Sequence, residues 1–423
     1  MPKPVWASSH LARIVGTALV AVLGLLRTAA AQGDLRPTVV LVSIDGFRSD
    51  YFDRYPAPNL HRLAARGVRA PLVPVFPTKT FPNHYAIATG LYPEHSGIVE
   101  NTMYDPAFDA VFQISDSAAV ADARWWGGEP LWVTVERQGQ IAASCFWPGS
   151  EAAIGSVRPH YWLHYDVRMP DSARVHQVLD WLSLPAAARP TFVTLYFSAV
   201  DHAGHESGPS SPAVARAVLQ VDTAIGRLLD GLEASGWNDR VNVIVVADHG
   251  MSPIATDSVV ALDDYLSLAA VSRITGGNPD LGLWPRAGLE DSVVRALAGR
   301  NPHLGVWRRD AIPERFHYRA NPRIPPVVVL AEPGWSVAAR RSDVTSHADR
   351  YTGGAHGYDD TVAVMRALFV AAGPAFRQGV TAAPFRNIHV YDLVARILGL
   401  TPAPNDGSPD STATLLRDTH TPR

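Results

Sequence analysis

The sequence predicts an α/β protein whose core is a doubly wound, mostly parallel β-sheet. Three near-continuous apolar runs rich in β-branched residues, at 38–44, 191–198 and 241–247, are typical of strands buried on both faces. Segments with helical periodicity separate these runs, and this alternation is typical of α/β folds. Acidic or histidine residues follow each run, at the sheet edge where open α/β folds bind ligands.

The remaining elements follow from periodicity and from turn residues. Helices are predicted at residues 59–66, 83–89, 131–136, 173–181, 212–232 and 390–398, and further strands just before residue 146 and at 326–330 and 367–372. The 83–89 helix has Pro82 in its first turn and Gly90 just past its end, the expected asymmetry of helix termini. Residues 255–350 are less regular and contain many Pro and Arg, so we expect an inserted α+β segment there, without chemistry of its own.

The N-terminal residues have the pattern of a secretory signal peptide. Lys3 and Arg13 precede an apolar run at 14–26, and the small residues that follow it offer a cleavage site. The run is too short for a membrane span, so residues 1–31 are predicted to be removed and residues 32–423 to form one large domain. The signal and the Ala- and Arg-rich composition predict a bacterial periplasmic or secreted protein with no membrane span after cleavage.

Composition and charge exclude several classes of partner and site. Apolar residues make up 47% of the 423 residues, enough for a sizeable core. The formal net charge is −3 and becomes −6 without the three basic residues of the signal, so binding to a nucleic-acid duplex is not expected. The single cysteine, Cys145, excludes an internal disulfide, and its apolar neighbours indicate a buried side chain rather than a nucleophile.

Thr80 lies just before the predicted 83–89 helix, where a phosphate is favoured. Free backbone N–H groups and the positive end of the helix dipole both attract an anion there. A hydroxyl in this place can attack phosphorus when a metal lowers its pKa. The alternative is a simple helix N-cap, which is a common use of Thr. The neighbouring Lys79 adds a cation close to the predicted site.

Three predicted strands end in groups that bind metals. Single aspartates after strands are usually helix caps, but three such endings and a histidine in a glycine-rich loop are hard to explain by capping. Carboxylate and imidazole ligands together favour zinc, and two zinc ions need about six or seven protein ligands. The chain offers seven such groups: Asp45, Thr80, Asp201, His205, Asp248, His249 and His356.

Several motifs together give the sequence a specific resemblance to a known family. They are SIDGFR at 43–48, PTKTFPNHY at 77–85, TGLYPEHSGI at 89–98, GEPLWVT at 128–134, FWPGS at 146–150, ADHGM at 247–251, HGYD at 356–359 and LTPAPNDG at 400–407. Over about residues 38–416, the chain resembles the nucleotide pyrophosphatase/phosphodiesterase family of the alkaline phosphatase superfamily, in a bacterial single-domain form. The resemblance implies the fold of that superfamily, with residues 32–423 as the phosphodiesterase catalytic domain.

The resemblance also implies a role for each site residue. Thr80 matches the nucleophile that becomes covalently attached to the nucleotide, and Asn101 matches the side chain that donates to a phosphoryl oxygen. Phe81 and Tyr165 resemble the aromatic pair that holds the base. The implied ligands are Asp45, Thr80, Asp248 and His249 for a zinc ion that activates Thr80, and Asp201, His205 and His356 for a second zinc ion that activates water.

The implied function is that of a secreted two-zinc hydrolase acting on small-molecule nucleotides. It would cleave phosphodiester and pyrophosphate bonds of ATP, dinucleotides and similar diesters to nucleoside monophosphates, through a phosphothreonine intermediate. Two other activities on the same scaffold stay open, a phosphomonoesterase and a glycerophosphodiester or lysophospholipid phosphodiesterase. A non-enzymatic zinc- or phosphate-binding module is disfavoured because it would not need the Thr80 hydroxyl. The chain departs from the family pattern at Ala199-Val200, Thr102 and Asp360, where Glu-Pro, Lys and Asn are common.

Overall fold

The computed structural model describes residues 36–417 of the 423-residue chain. The predicted signal peptide, residues 1–31, lies outside the described residues. Within the described range, no helix combines the length and the apolar character that crossing a bilayer requires.

Helices and strands alternate along the described chain. The strands are β1 (Thr38–Ile44), β2 (Val68–Val73), β3 (Thr102–Asp105), β4 (Ala110–Gln113), β5 (Ala142–Cys145), β6 (Tyr161–Trp162), β7 (Phe192–Phe197), β8 (Val241–Val246), β9 (Ser252–Ile254), β10 (Val259–Ala261), β11 (Val271–Gly277), β12 (Asp280–Pro285), β13 (Leu304–Arg308), β14 (Val327–Ala331), β15 (Ser336–Ala338), β16 (Gly353–Ala355), β17 (Ala367–Ala372), β18 (Val380–Thr381) and β19 (Phe385–Arg386). The α-helices are α1 (Tyr51–Arg54), α2 (Pro58–Ala65), α3 (Thr80–Thr89), α4 (Pro93–Ser96), α5 (Ser117–Ala121), α6 (Leu131–Arg137), α7 (Asp171–Leu182), α8 (Ala199–Ser207), α9 (Pro212–Ala234), α10 (Glu290–Leu297), α11 (Arg341–Ser346) and α12 (His389–Leu398). Short 3₁₀ helices lie at Ala123–Trp125, Leu262–Asp264, Leu268–Ala270, Arg309–Ala311, Glu314–Phe316, Ala348–Tyr351, Ala363–Met365 and Pro409–Leu415.

The central sheet has the strand order β18-β2-β17-β8-β1-β7-β5-β6, and β19 also pairs with β2. Strand β1 runs parallel to both of its neighbours, β7 and β8, whereas β17 runs antiparallel to β8 and β2. Every residue of β1 is buried. Because alternate side chains of a strand point to opposite faces, both faces of the sheet are covered here. The predicted α/β fold with a mostly parallel central sheet is confirmed.

A second, smaller sheet lies within residues 271–331. Its four strands are antiparallel in the order β11-β12-β14-β13. Helix α10 packs against β13 and β14, and an apolar cluster that includes Leu283, Val293 and Val329 lies between these elements. Strand β14 corresponds to the strand predicted at 326–330. One face of this sheet has its own apolar cluster, whereas Val328 and Leu330 of β14 belong to the core of the central sheet.

The described structure has further short helices and strands that the sequence pattern does not indicate, and two differences concern the central sheet and the site. Strand β2 was not predicted, because it contains Pro71 and alternates buried with half-buried residues instead of forming a continuous apolar run. Helix α3 begins at Thr80 rather than at residue 83. Its cap residue is Lys79, so the interpretation of Thr80 as the N-cap is wrong, and Thr80 is the first helical residue. Pro82 is tolerated inside this first turn because N–H groups there have no intrahelical partner.

Asp222 of helix α9 holds the start of helix α2, and its loss should destabilise the fold. Its buried carboxylate accepts hydrogen bonds from Asn59 N (3.0 Å), Leu60 N (2.8 Å) and Asn59 Nδ2 (2.9 Å). Asp222→Ala leaves these donors unsatisfied, so we expect the free energy of unfolding to fall by about 2–3 kcal/mol. Chemical denaturation measures this. Asp230→Ala, which removes an exposed ion pair with Arg62, is the control and should cost less than about 1 kcal/mol. Equal losses would contradict the prediction.

Candidate functional site

The topology of the sheet brings the predicted metal-binding side chains to one edge. Asp45 directly follows β1, and Asp248 comes just after the neighbouring parallel strand β8, so the two carboxyl ends meet. Asp201 and His205 lie one turn apart on α8, the helix that follows β7 on the other side of β1. His356 directly follows β16, which pairs with β9, the strand that comes just after Asp248.

One cluster, here called the Asp45 group, consists of Asp45, Asp248 and His249. Each offers a ligand atom, and these atoms lie within 4.8 Å of one another. His249 Nε2 is 3.0 Å from Asp248 Oδ2 and 3.5 Å from Asp45 Oδ1. The same nitrogen lies 3.4 Å from the hydroxyl oxygen of the half-buried Thr80. The Asp45 group therefore adjoins the hydroxyl predicted to act as nucleophile.

The second cluster, the Asp201 group, consists of Asp201, His205 and His356, whose ligand atoms also lie within 4.8 Å of one another. Asp201 Oδ1 is 3.4 Å from His205 Nε2 and 3.7 Å from His356 Nε2. The rings of His356 and His249 stack with their centroids 3.5 Å apart. The two groups are thus adjacent, and the structure brings together all seven predicted metal-binding residues.

The three histidines of these groups are oriented by backbone carbonyl groups. His249 Nδ1 lies 2.9 Å from Gly250 O, His205 Nδ1 lies 2.9 Å from Gly354 O, and His356 Nδ1 lies 2.8 Å from Thr78 O. A carbonyl oxygen only accepts, so each Nδ1 carries the hydrogen and each Nε2 presents a lone pair to the cluster. His205 Nε2 and His356 Nε2 are only 3.0 Å apart, which is favourable only with a positive charge near both.

Each of the three carboxylates also has one oxygen atom in the cluster that accepts no hydrogen bond from the described residues. Asp45 Oδ1, Asp201 Oδ1 and Asp248 Oδ2 are buried and have no hydrogen-bond donor among the described residues. The second carboxylate oxygen of Asp45 and of Asp248 is hydrogen-bonded. Tyr196 OH donates to Asp45 Oδ2 (2.6 Å), and Gly46 N donates to Asp248 Oδ1 (3.1 Å). Unpartnered carboxylate oxygens and imidazole lone pairs are the donor set of a divalent-cation site. The residues present therefore fit metal ions.

The pKa values of the cluster reflect its burial and the mutual influence of its carboxylates and imidazoles. Burial raises the pKa of Asp45, and the nearby Asp248 and Asp201 carboxylates raise it further. Burial also opposes ionisation of Asp201 and Asp248, but the facing histidines hold the pKa of both acids below the usual range. Burial and the adjacent His249 lower the pKa of His356, which favours its neutral, ligating form. A cation here would take the place of the proton that the raised pKa of Asp45 favours.

Asn101 lies beside the predicted nucleophile. Its Oδ1 accepts a hydrogen bond of 2.9 Å from the backbone N–H of Phe81, the residue after Thr80. This N–H is therefore committed to Asn101, contrary to the expectation that the backbone N–H groups near Thr80 are free for a phosphate. The Nδ2 amide is the part of Asn101 that can donate to a ligand.

The two predicted base-binding aromatic residues pack against different neighbours. The half-buried Phe81 packs near Phe112 and Trp126, with ring centroids 6.0 and 5.9 Å away. Tyr165 is 48% exposed and packs edge-on near Tyr196, whose hydroxyl binds Asp45. Within the described part of the chain, Phe81 and Tyr165 make no ring contact with each other.

Sequence reasoning missed two residues that support the cluster. Tyr196, in β7, binds Asp45 as described above. His84 lies one turn after Thr80 on α3, fully buried; its Nδ1 lies 2.9 Å from Thr80 O and its Nε2 2.8 Å from Ser43 Oγ. The i, i+4 spacing of His84 from Thr80 in the PTKTFPNHY motif was the available signal. The partners of Tyr196 lie far away in the chain and leave no local pattern.

Lys79, expected as a cation near the site, is buried and already paired. Its Nζ donates to Asn278 O (2.8 Å) and Gly277 O (3.0 Å) and lies 3.2 Å from Asp280 Oδ1. Two carbonyl groups thus accept hydrogen bonds from the ammonium, and the Asp280 carboxylate balances its charge as an ion pair. Lys79 is therefore not available to a phosphate in this conformation.

Comparison with known proteins identifies the family to which this geometry corresponds. A family model described as "Type I phosphodiesterase / nucleotide pyrophosphatase" matches residues 39–359. The chain is 38% identical over 396 residues to ectonucleotide pyrophosphatase/phosphodiesterase family member 3 of Rattus norvegicus, covering 91% of this chain and 45% of the rat protein. It is 36% identical over 399 residues to an uncharacterised pyrophosphatase/phosphodiesterase of Schizosaccharomyces pombe, covering 90% of this chain and 81% of the yeast protein.

Comparison with solved structures identifies the same family. Murine ectonucleotide pyrophosphatase/phosphodiesterase 5, solved as an inactive threonine-to-alanine variant in complex with AMP, superposes with a TM-score of 0.85. It is 34% identical, and the match covers 90% of this chain and all of the mouse chain. The chain spans about half the length of the rat, mouse and snake curated relatives that it matches.

Tyr196→Phe should weaken cation binding at the Asp45 group. The change removes the 2.6 Å hydrogen bond that fixes the Asp45 carboxylate, and such supporting bonds are worth about 10- to 100-fold in metal affinity. We expect Zn²⁺ affinity, measured by competition with a chelating dye, to fall by about 10-fold. Tyr161→Phe is the matched control, because its hydroxyl binds Ala188 O instead. Unchanged affinity in Tyr196→Phe would show that this hydrogen bond does not set the ligand geometry.

Proposed function

Because the chain belongs to the type I phosphodiesterase / nucleotide pyrophosphatase family, we propose that it hydrolyses nucleotides at phosphodiester and pyrophosphate bonds. ATP, dinucleotides and similar diesters are the proposed substrates, and nucleoside monophosphates are products. One observation carries this proposal: three unpartnered carboxylate oxygens and three imidazole lone pairs converge beside the Thr80 hydroxyl at the start of helix α3. A cation-binding cluster with a hydroxyl at a helix N-terminus suits attack on phosphate.

The proposed cofactors are two Zn²⁺ ions per chain. The Asp45 group together with Thr80 would hold one ion, and the Asp201 group would hold the other. When bound, the ions supply positive charge that lowers the pKa of a hydroxyl or a water and offsets the charge developing on phosphorus. Support comes from the mixture of carboxylate and imidazole donors, which zinc commonly takes.

In the proposed reaction, Thr80 makes and then releases a bond to phosphorus. Its Oγ1 attacks, the Oγ1–P bond forms, and the bond from phosphorus to the leaving oxygen breaks while the hydroxyl proton passes to solvent. A water molecule then attacks phosphorus, the Oγ1–P bond breaks, and Thr80 regains a proton. One diester and one water thus give a monophosphate and the leaving alcohol or phosphate.

Fixed donors near Thr80 would stabilise the charge on phosphorus. Asn101 is held in place by the N–H of Phe81, so its Nδ2 amide is presented as a preorganised donor to a phosphoryl oxygen. The dipole of helix α3 points its positive end to the same place. These donors cost no reorganisation during the reaction.

The nucleotide preference rests on the aromatic residues and on the mouse relative, which was solved in complex with AMP. We propose that Phe81 and Tyr165 hold the base between them. Each stacking face contributes about 1–3 kcal/mol and is tolerant of base identity. We also propose that residues 1–31 direct export to the periplasm or the medium and that residues 32–423 form the catalytic domain, because an apolar run at 14–26 follows basic residues.

A phosphomonoesterase on the same scaffold has less support. A monoester carries a second negative charge and calls for a further cation at the site. The ammonium of Lys79, adjacent to Thr80, is instead bound to Asp280 and to two backbone carbonyl groups. The position after Asn101 is Thr102, which carries no charge.

Thr80→Ala should abolish turnover of a dinucleotide, since the variant lacks the proposed nucleophile. We expect kcat to fall by on the order of 100-fold or more, with most bound metal and the melting temperature retained. Thr80→Ser, which keeps a hydroxyl, is the control and should retain much more activity. Acid quenching followed by mass spectrometry should trap a nucleotidylated Thr80 in the wild type only. Substantial turnover by Thr80→Ala would show that water attacks phosphorus directly.

Phe81→Ala and Tyr165→Ala should impair nucleotide substrates selectively. Loss of one stacking face corresponds to a fall of about 5- to 150-fold in kcat/KM for ATP or a dinucleotide, with little change for a methyl or ethyl diester. Tyr265→Ala, another exposed tyrosine, is the control. Equal losses on both substrate types would show that the rings only pack the fold. A selective loss on a choline phosphodiester would favour the glycerophosphodiester or lysophospholipid activity.

A further inference from the structure

We propose that Lys79 and Asp280 act as a positioning pair for Thr80, through which the small antiparallel sheet controls the placement of the nucleophile. This inference rests on the proposed function, and it assigns a role to a segment predicted to have no chemistry of its own. Neither residue touches the reacting atoms in this proposal. They act by fixing the backbone from which the Thr80 hydroxyl projects.

The pair is buried, and Asp280 Oδ1, which accepts no hydrogen bond from the described residues, lies 3.2 Å from the Lys79 ammonium as an ion pair. Lys79 and Asp280 are each 5% exposed, and the Lys79 ammonium binds Gly277 O, Asn278 O and the Asp280 carboxylate. These three groups belong to the turn between β11 and β12, and Asp280 is the first residue of β12. Because β12 pairs with both β11 and β14, the turn is anchored to the small sheet.

Along the chain, Lys79 directly precedes Thr80, the proposed nucleophile. It is the extended cap residue of α3 (φ −110°, ψ 158°), directly before Thr80. Its carbonyl oxygen accepts from Asn83 N (3.1 Å) and Asn83 Nδ2 (2.9 Å), which closes the first turn of the helix. A shift of the Lys79 side chain would therefore move the backbone that carries the Thr80 hydroxyl.

The pair also packs against the loop that carries His356. A Cβ on Gly357 would lie 2.4 Å from Lys79 Cε and 2.7 Å from Asp280 Oδ1, so only glycine allows this close approach. Thr78, on the other side of Lys79, binds the same loop: its carbonyl accepts from His356 Nδ1 (2.8 Å) and its hydroxyl accepts from Gly357 N (2.9 Å). Thr78, Lys79 and Thr80 thus contact the Asp201 group, the small sheet and the Asp45 group, respectively.

The test compares Asp280→Asn, Lys79→Met and the double variant with Asp310→Asn. Asp310 lies in the same segment but forms an exposed ion pair with Arg308. We expect Asp280→Asn and Lys79→Met each to lower kcat for a dinucleotide by about 10- to 100-fold, the cost of a displaced reacting group, with KM within about twofold. The double variant should be no worse than the poorer single variant, and Asp310→Asn should match the wild type.

Hydrogen exchange of peptides covering residues 74–91 gives a readout that does not depend on activity. We expect faster exchange there in Asp280→Asn and no change in Asp310→Asn. The double variant guards against misfolding, since it removes both charges of the pair and leaves neither partner as an unpaired buried charge. Wild-type exchange in Asp280→Asn would overturn the proposal whether or not the enzyme is active.

Other outcomes separate the remaining explanations. A raised KM in Lys79→Met, with kcat unchanged in Asp280→Asn, would show that Lys79 binds substrate, and the positioning role would be wrong. A lower melting temperature with unchanged kcat per folded molecule would show that the pair only stabilises the fold. A wild type inactive on every phosphodiester would refute the proposed function, while the exchange data would still decide the role of Asp280.

Discussion

The rest of the site depends on one electrostatic constraint, the convergence of three carboxylates on a small and largely buried space. Asp45, Asp201 and Asp248 each direct one oxygen there without a hydrogen-bond donor from the described residues. Burying unpaired charges of the same sign costs several kcal/mol, and the raised pKa of Asp45 expresses this cost. A bound cation would remove this cost, so a metal ion held here would also stabilise the fold.

The strand registers of the central sheet bring these three carboxylates together. Strands β8, β1 and β7 are parallel neighbours, and their registers bring Ser43 opposite both Val246 and Tyr196, so the residues beyond each strand emerge side by side. The imidazole rings are then aimed by main-chain carbonyl groups rather than by mobile side chains. Each lone pair is consequently placed by the backbone of the fold, and ligand geometry follows from strand register, from the loop that carries Thr78 and from strand β16, which carries Gly354.

The parts of this arrangement that were predictable are those with a local pattern. Buried parallel strands need continuous apolar runs, so the ends of β1 and β8, with Asp45 and Asp248, could be located from sequence. Strand β2 could not, because Pro71 and alternating burial conceal it. The hydrogen bond from Tyr196 to Asp45 joins residues 151 positions apart, and the pairing of Lys79 depends equally on distant residues. Propensity and spacing carry no information about such partners, which only the folded chain brings together.

The pairing of Lys79 leaves the cluster of carboxylates open to the proposed metal ions and to an anionic substrate. A buried ammonium directed at the carboxylates would neutralise them permanently, and the cluster would then be a closed ion-pair network. The structure instead binds Lys79 to Asp280 and two carbonyl groups on the side of the small sheet. The carboxylates are left to be neutralised by exchangeable cations, whose remaining charge can act on a phosphate beside the Thr80 hydroxyl. The same pairing fixes the start of helix α3, so the neutralisation of Lys79 and the placement of Thr80 have a single structural cause.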